Sequence, residues 1–377
     1  MQHSVDVVVV GVGGMGSAAL MHLAKRGHKV VGIEQFGVAH DRGSSTGESR
    51  IIRKAYFEDP RYVPLLERAY QLWRALEAET STSLLTTTGC LNFGPKDHPA
   101  MVALRACVQQ HGLAHERLDR DEIRRRFPAI VPGDDDEGLY EDDGGVLGPE
   151  ACVRAHVEVA SRHGARLVLH ERVVDVAIGT HGATVTTEQG TRLMARAVVV
   201  AFGPWWATQP FLRPLARSLV VTRQVQCWFP AVDVGPLPAF IRFDDEGPAF
   251  YGLPPHAGRG VKACRHGGGA RTTADTVDRE VHDDDVLEVR GFLRRFLPRI
   301  DGPASSSKVC LYTMTPDEHF VVGALPEHPH VVVLGGFSGH GFKMASVIGE
   351  LAADLVESGT TRLPIELFDP RRLLAQQ

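Results

Sequence analysis

Residues Val5 to Val10 are β-branched at every position except Asp6, with no alternation of apolar and polar side chains. Such a run predicts a strand buried on both faces of a parallel sheet. "GVGGMGSAALMHLAKRG" follows and reads as a glycine turn entering an amphipathic helix, and "KVVGIEQF" is a second strand ending in Glu34. The order strand, glycine turn, helix returns near the C-terminus in "HVVVLGGFSGHGFKMASVIGELAADLVESG". There Met344, Ile348, Leu351 and Leu355 are spaced to form one apolar helix face. Three further stretches read as strands. "RLMARAVVVAFGPWW" is expected to end in Gly203, and "FYGLPPHAGRGVKACRHGGG" to form two strands around a Pro/Gly turn. Period two places Lys262, Cys264 and His266 on one face of the second of these. In "KVCLYTMTPDEHFVVG", the same period groups Cys310, Tyr312 and Met314 against Val309, Leu311 and Thr313.

The pattern predicts an α/β protein with a discontinuous Rossmann-like domain and an antiparallel-sheet α+β substrate domain. The first takes residues 1–85, 148–215 and 325–377, the second 86–147 and 216–324. A length of 377 residues fits two domains. The 43% hydrophobic and 23% charged shares are those of a globular chain. A formal charge of −5 argues against nucleic acid or an anionic membrane as partner. The six cysteines show no Cys-x-x-Cys spacing and the eighteen histidines are scattered, so no metal site or redox dithiol is expected. Reduced thiols point to the cytoplasm. The apolar N-terminal run lacks a basic leader, no stretch is apolar enough to span a bilayer, and "LLAQQ" carries no peroxisomal address. The acidic stretch "PGDDDEGLYEDDGG" (132–145) reads as a solvated loop.

Gly11, Gly13 and Gly16 supply G-x-G-x-x-G between a strand and a helix, with Gly14 and Met15 inside the fingerprint. The glycines allow a tight turn, close approach to a pyrophosphate and packing of helix on strand, and the helix N-terminus meets the phosphates. Glu34 comes 23 residues after Gly11, the spacing of an acid that binds a ribose hydroxyl, and it opposes a 2′-phosphate. The fingerprint alone does not separate NAD from FAD. A second backbone approach at Gly203 and a third at the C-terminal glycine turn favour the longer FAD. Lys343, at a helix start, sits against the macrodipole by about 0.3–1 kcal/mol. It is either a solvated lysine or part of an anion site. Arg50 and Arg53, three apart, share a face if helical, and their planar forks suit a carboxylate as well as they suit solvent. On its own segment Cys310 reads as a buried core thiol. Lys262 is either solvent-exposed or held over a flavin.

Taken together, "GVGGMGSAA", "RIIRKAY", "YVPLLERAYQLW", "TTTGCLNFGP", "CLYTMTPDEHF" and "GFSGHGFKMASVIGE" resemble, in order and nearly end to end, the monomeric sarcosine oxidase and N-methyltryptophan oxidase family. The resemblance implies a monomeric flavin amine oxidase acting on a secondary amino acid, with oxygen as acceptor and an imine and hydrogen peroxide as products. It implies FAD attached through a thioether to Cys310. Tyr251, His266 and Tyr312 would line the substrate cavity, with Arg53 and Lys343 gripping the substrate carboxylate. Lys262 would activate oxygen and Arg50 would lie beside the flavin. On the cofactor side it adds Ser44, Val173, Gly203, Gly336, Phe337, Gly339, Gly341 and Lys343. Fructosyl-amino-acid and cyclic-imino-acid oxidases, biosynthetic enzymes of the same fold and a non-catalytic flavin binder remain alternatives. Two departures stand out. Where the family commonly has "GSHHGDTRIIR" this chain has Ser45 and Thr46 in place of two histidines. "FIRFDDEGPAFYG" (240–252) carries an added residue and Arg242 at the border of the side-chain pocket, so the family's substrate is not carried over.

Overall fold

A computed structural model describes residues 3–231, 234–244 and 249–374. Val7 to Val10 are all buried, so the strand His3–Val10 must be paired on both edges and covered on both faces. It pairs in parallel with Val30–Glu34 on one side and Arg192–Val200 on the other. Arg166–Leu169 extends the sheet beyond Val30–Glu34. Arg192–Val200 divides its partners: its first half takes the antiparallel strand Ala183–Thr187, its last three residues the parallel strand His328–Gly335. Val173–Ile178 and Val321–Leu325 complete a mixed eight-stranded sheet. The helices Gly14–Lys25, Pro149–Arg162 and Ala345–Ser358 pack together over it. Gly349 permits the close crossing of the first and last, because a Cβ there would lie 2.4 Å from the Ala18 carbonyl carbon.

A second, nine-stranded sheet holds Cys90–Pro95, Asp136–Glu141, Val220–Phe229, Ala239–Arg242, Phe250–Leu253, Val261–Arg265 and Ser306–Met314 among its strands. The helix Asp283–Phe296 covers one face through Val289, Phe292, Leu293 and Phe296. Register decides what the other face presents. Cys310 lies opposite Gln224, Tyr312 opposite Thr222, Lys262 opposite Trp228, and Tyr251 between Cys264 and Ile241. Paired residues share a face, so cysteine, lysine and tyrosines from three strands look the same way. A small third sheet joins Arg50–Ile52, Gly145–Leu147 and Leu85–Thr87.

Four expectations are corrected. Arg50 lies in a strand, and the chain bends after Ile52, so Arg50 and Arg53 are not one helix face. The strand expected to reach Gly203 ends at Val200, and Gly203 opens a 3-10 turn. Strand Val321–Leu325 pairs with His328–Gly335 in the first sheet, short of the boundary expected at 325. The acidic stretch is a strand over Asp136–Glu141, paired on both edges, with Asp136 and Glu141 buried. Its charges are tolerated because partners meet them: Glu137 takes Arg105 and Arg117, Asp136 takes Arg242. Among the described residues no helix is long and apolar enough to cross a membrane.

Candidate active site

Two adjoining cavities are lined by residues of both sheets. The larger, about 1300 Å³ with its open mouth included, is floored by the glycine turn. Gly11, Gly13, Gly14 and Met15 line it, while Gly16 does not. A Cβ on Gly16 would sit 1.8 Å from the Gly11 carbonyl oxygen, so the third glycine serves helix packing. Gly11 holds φ +85°, and its backbone presses so closely on Ala201 that a Cβ would lie 2.3 Å from that carbonyl oxygen. The helix Gly14–Lys25 begins without a carboxylate in its own first turn. Glu34 reaches the cavity from the end of its strand. Its Oε2 accepts the Val12 N–H at 2.8 Å and its Oε1 the Phe36 N–H at 3.0 Å. Ser44, Arg50, Val173 and Gly203 stand along the walls, and Gly336, Phe337, Gly339 and Gly341 come from the C-terminal turn.

Sequence reasoning missed Ser45, His40, Trp205 and Thr313, which also line this cavity. The altered "GSST" motif was the one pointer: Ser45 Oγ accepts the Gly14 N–H at 3.0 Å. The Thr313 hydroxyl is buried there without a protein partner. Buried hydroxyls are normally hydrogen-bonded, so a polar ligand is the natural complement. A glycine floor, a helix N-terminus with no acid in its first turn, a carboxylate at the end of the next strand and an unpartnered hydroxyl fit a dinucleotide as large as FAD.

The smaller cavity, about 630 Å³ with its mouth, shares Arg50, Tyr312, Gly339 and Phe342 with the larger. Tyr251, His266, Arg53 and Lys343 line it as well. Lys343, expected on the cofactor side too, lines only this smaller cavity, because its 3-10 turn Phe342–Met344 carries it past the cofactor wall. Arg53 is 1% exposed. Its Nη2 bonds both oxygens of Glu58 at 2.9 and 2.8 Å, its Nη1 bonds the Ala55 carbonyl, and its plane lies against Tyr56 and Phe57. Burial pushes the Glu58 carboxyl up, but Arg53, His340 and Lys343 outweigh it and hold the group at about 2.

Lys343 Nζ bonds the His340 carbonyl at 2.7 Å and the Tyr56 hydroxyl at 3.3 Å. Burial first, then the charge of Arg53, brings its ammonium down to about 7. Burial likewise keeps His340 neutral, at about 3. Its Nε2–H donates to the Glu318 carbonyl, so Nδ1 accepts from Tyr56 and the chain of bonds from Lys343 is fully directed. His266, lowered to about 4 chiefly by burial, adds no charge. Glu58, His340, Gln226 and Ile241 also line the cavity and were missed. Glu58 alone left a trace, five residues after Arg53 in "RKAYFE".

Cys310 and Lys262 lie in the walls and line neither cavity. Cys310 Sγ is 3.7 Å from both Arg50 Nη2 and the Ser44 carbonyl, two groups of cavity-lining residues. Lys262 is 1% exposed, and its Nζ bonds the Gly47 and Ser49 carbonyls at 3.0 Å each, 5.1 Å from the Trp228 ring centre. Burial and then Arg50 lower it to about 7. Arg242 does not border the substrate side. Period two turns Ile241 to the cavity and Arg242 to the opposite face, where it meets Asp136 at 3.2 Å and stacks on Phe296. Residues 245–248 of the stretch with the added residue lie outside the described residues.

The FAD dependent oxidoreductase model, DAO, matches residues 6–355. The chain is 42% identical to monomeric sarcosine oxidase of Streptomyces avermitilis over 100% of its own length and 99% of the relative's. It is 32% identical to N-methyl-L-tryptophan oxidase of Yersinia pestis, covering 97% and 99%. Among solved structures it superposes on NikD, an unusual amino acid oxidase essential for nikkomycin biosynthesis, with TM-score 0.87, 26% identity and 98% of both chains covered. With a glycine-floored dinucleotide cleft beside a cavity of buried cations, and a family match spanning most of its length, the chain belongs to the FAD dependent oxidoreductase family.

Proposed function

We propose that this chain oxidises a secondary amino acid, N-methylated or cyclic, passing the electrons to oxygen. The observation that carries this reading is the pair of buried cations, Arg53 and Lys343, on a cavity that shares Arg50, Tyr312, Gly339 and Phe342 with the adjoining dinucleotide cleft. FAD supplies the acceptor for a hydride equivalent from the substrate carbon and returns two electrons to oxygen as hydrogen peroxide. The protein's part is to place and prepare the substrate. Arg53 presents a planar fork to the carboxylate and Lys343 the third of its N–H groups, two being used internally. Glu58 holds Arg53 charged and oriented until the substrate carboxylate takes its place. Fixing one end of the substrate in this way can contribute several kcal/mol toward the barrier, on the order of 7 or more in the best cases.

The same cations disfavour a protonated amine, and Tyr251, His266 and Tyr312 exclude water from it, so the substrate nitrogen is held neutral as hydride loss requires. No side chain is assigned as a general base. A monomer is the assembly in keeping with the relative named monomeric sarcosine oxidase. A panel of N-methyl, cyclic and fructosyl amino acids, scored by peroxide release, tests the activity. Turnover without peroxide contradicts the oxidase reading.

Cys310 is the proposed tether, by thioether to the flavin ring. Acid-precipitated wild-type protein is expected to stay yellow, and the Cys310→Ser protein to release its flavin entirely. Colourless wild-type precipitate contradicts the linkage.

The cation pair also sets a pH dependence. Lys343 is charged below about 7 and neutral above. A competitive carboxylate inhibitor is therefore expected to weaken as pH rises through that range, with Arg53 sustaining residual binding. Inhibition constants measured between about pH 6 and 9 check this; a flat profile contradicts the role of Lys343.

A further inference from the structure

The acidic stretch that reads as a solvated loop ends against the arginine of the small cavity. Glu141, the last residue of Asp136–Glu141, is 1% exposed. Its Oε2 accepts the backbone N–H groups of Lys54 and Ala55, each at 2.9 Å. The carbonyl of the same Ala55 accepts Arg53 Nη1, so one residue is held by Glu141 at its N–H and holds the guanidinium at its C=O. Two residues on, Asp143 pairs with the Lys54 ammonium and fixes the same turn from outside. Two buried atoms here lack protein partners, Glu141 Oε1 and Arg53 Nε.

Burial raises the Glu141 carboxyl, and the two amides and Arg53 oppose that rise. The carboxyl thus shares its surroundings with Arg53 as well as with the turn.

We propose that Glu141 is a positioning residue for Arg53, clamping the 53–55 turn so that the guanidinium stays aimed at the substrate carboxylate while it exchanges that carboxylate for Glu58. This rests on the reading that Arg53 binds the carboxylate. The Ala55 carbonyl is the fixed point of the exchange. It stays bonded to Nη1 while Nη2 changes partners, and it can do so only as long as Glu141 fixes the Ala55 peptide.

The test uses flavin-loaded enzyme, with acetate as a competitive probe that carries a carboxylate and no amine. Glu141→Asp, one methylene shorter, is expected to raise both the acetate inhibition constant and the substrate KM about tenfold, with kcat at saturation within about threefold. Glu141→Gln keeps the length and an acceptor oxygen and is expected to stay within about threefold of wild type. In an Arg53→Met background, Glu141→Asp is expected to change the acetate constant by less than about twofold, since the group it positions is gone. Full additivity of the two substitutions, or a Glu141→Asp enzyme that binds acetate like wild type, overturns the positioning role and leaves the carboxylate site standing. An Arg53→Met enzyme with unaltered acetate binding overturns both.

Discussion

Lys262→Met is expected to slow reoxidation of the reduced enzyme by oxygen at least about a hundredfold, the range found when one preorganised electrostatic donor is removed. Anaerobic reduction by substrate is expected to stay within about threefold, because Lys262 lines neither cavity and touches no substrate position. Oxygen gains negative charge as it is reduced, and a desolvated ammonium stabilises that charge far better than one in water. Its location is set by the fold: two carbonyls of the loop leading to Arg50 and the face of Trp228 hold it in place. Because burial and Arg50 bring it to about 7, the charge is present below that pH and lost above. Wild-type reoxidation should therefore slow as pH rises through neutrality, and the methionine variant should lose that dependence. The substitution strands the Gly47 and Ser49 carbonyls, so flavin content must be matched before rates are compared. Stopped-flow reoxidation at wild-type speed would end the assignment.

Arg53→Met is expected to lower kcat/KM for a carboxylate-bearing amine by about 10²–10³, equivalent to roughly 3–4 kcal/mol, within the range for breaking one buried charge contact. Part of any loss would come from Glu58, which is left buried without its cation. Arg53→Met/Glu58→Gln removes that contribution and is expected to bind carboxylates no better than the single variant. A secondary amine lacking a carboxylate separates the effects further, because its turnover should fall by less than about threefold. An equal loss for both substrates would show that Arg53 supports the fold and does not read the carboxylate.

Legibility in the sequence followed the range of the interactions involved. The glycine fingerprint, the strand into it and Glu34 were readable because their geometry is local: a few backbone angles and one strand length bring them together. The grouping of Lys262 and Cys264 on one face follows from strand period in the same way, while His266 lies one residue past the strand's end at Arg265. The residues offered Arg53 and Lys343 as anion-site candidates and left solvent open beside it; the resemblance made the choice, since nothing in their neighbourhoods separates a buried cation from a solvated one. Glu141 shows the opposite failure. Acidic composition pointed to solvent, and the pairing of Asp136–Glu141 between two strands overrode it.

By itself, the sequence determined which residue types stand where along each strand and helix, and hence a dinucleotide fold and the identities of its chemical groups. Only the tertiary structure decided which of those groups meet: that Glu58 holds Arg53, that Lys343 leaves the cofactor wall, and that Arg242 turns from the substrate to Asp136. The physical reason is that a side chain's charge, partners and burial depend on segments distant in sequence. Glu141 meets residues 86 and 87 positions away, and no local pattern encodes the sheet register that brings them together.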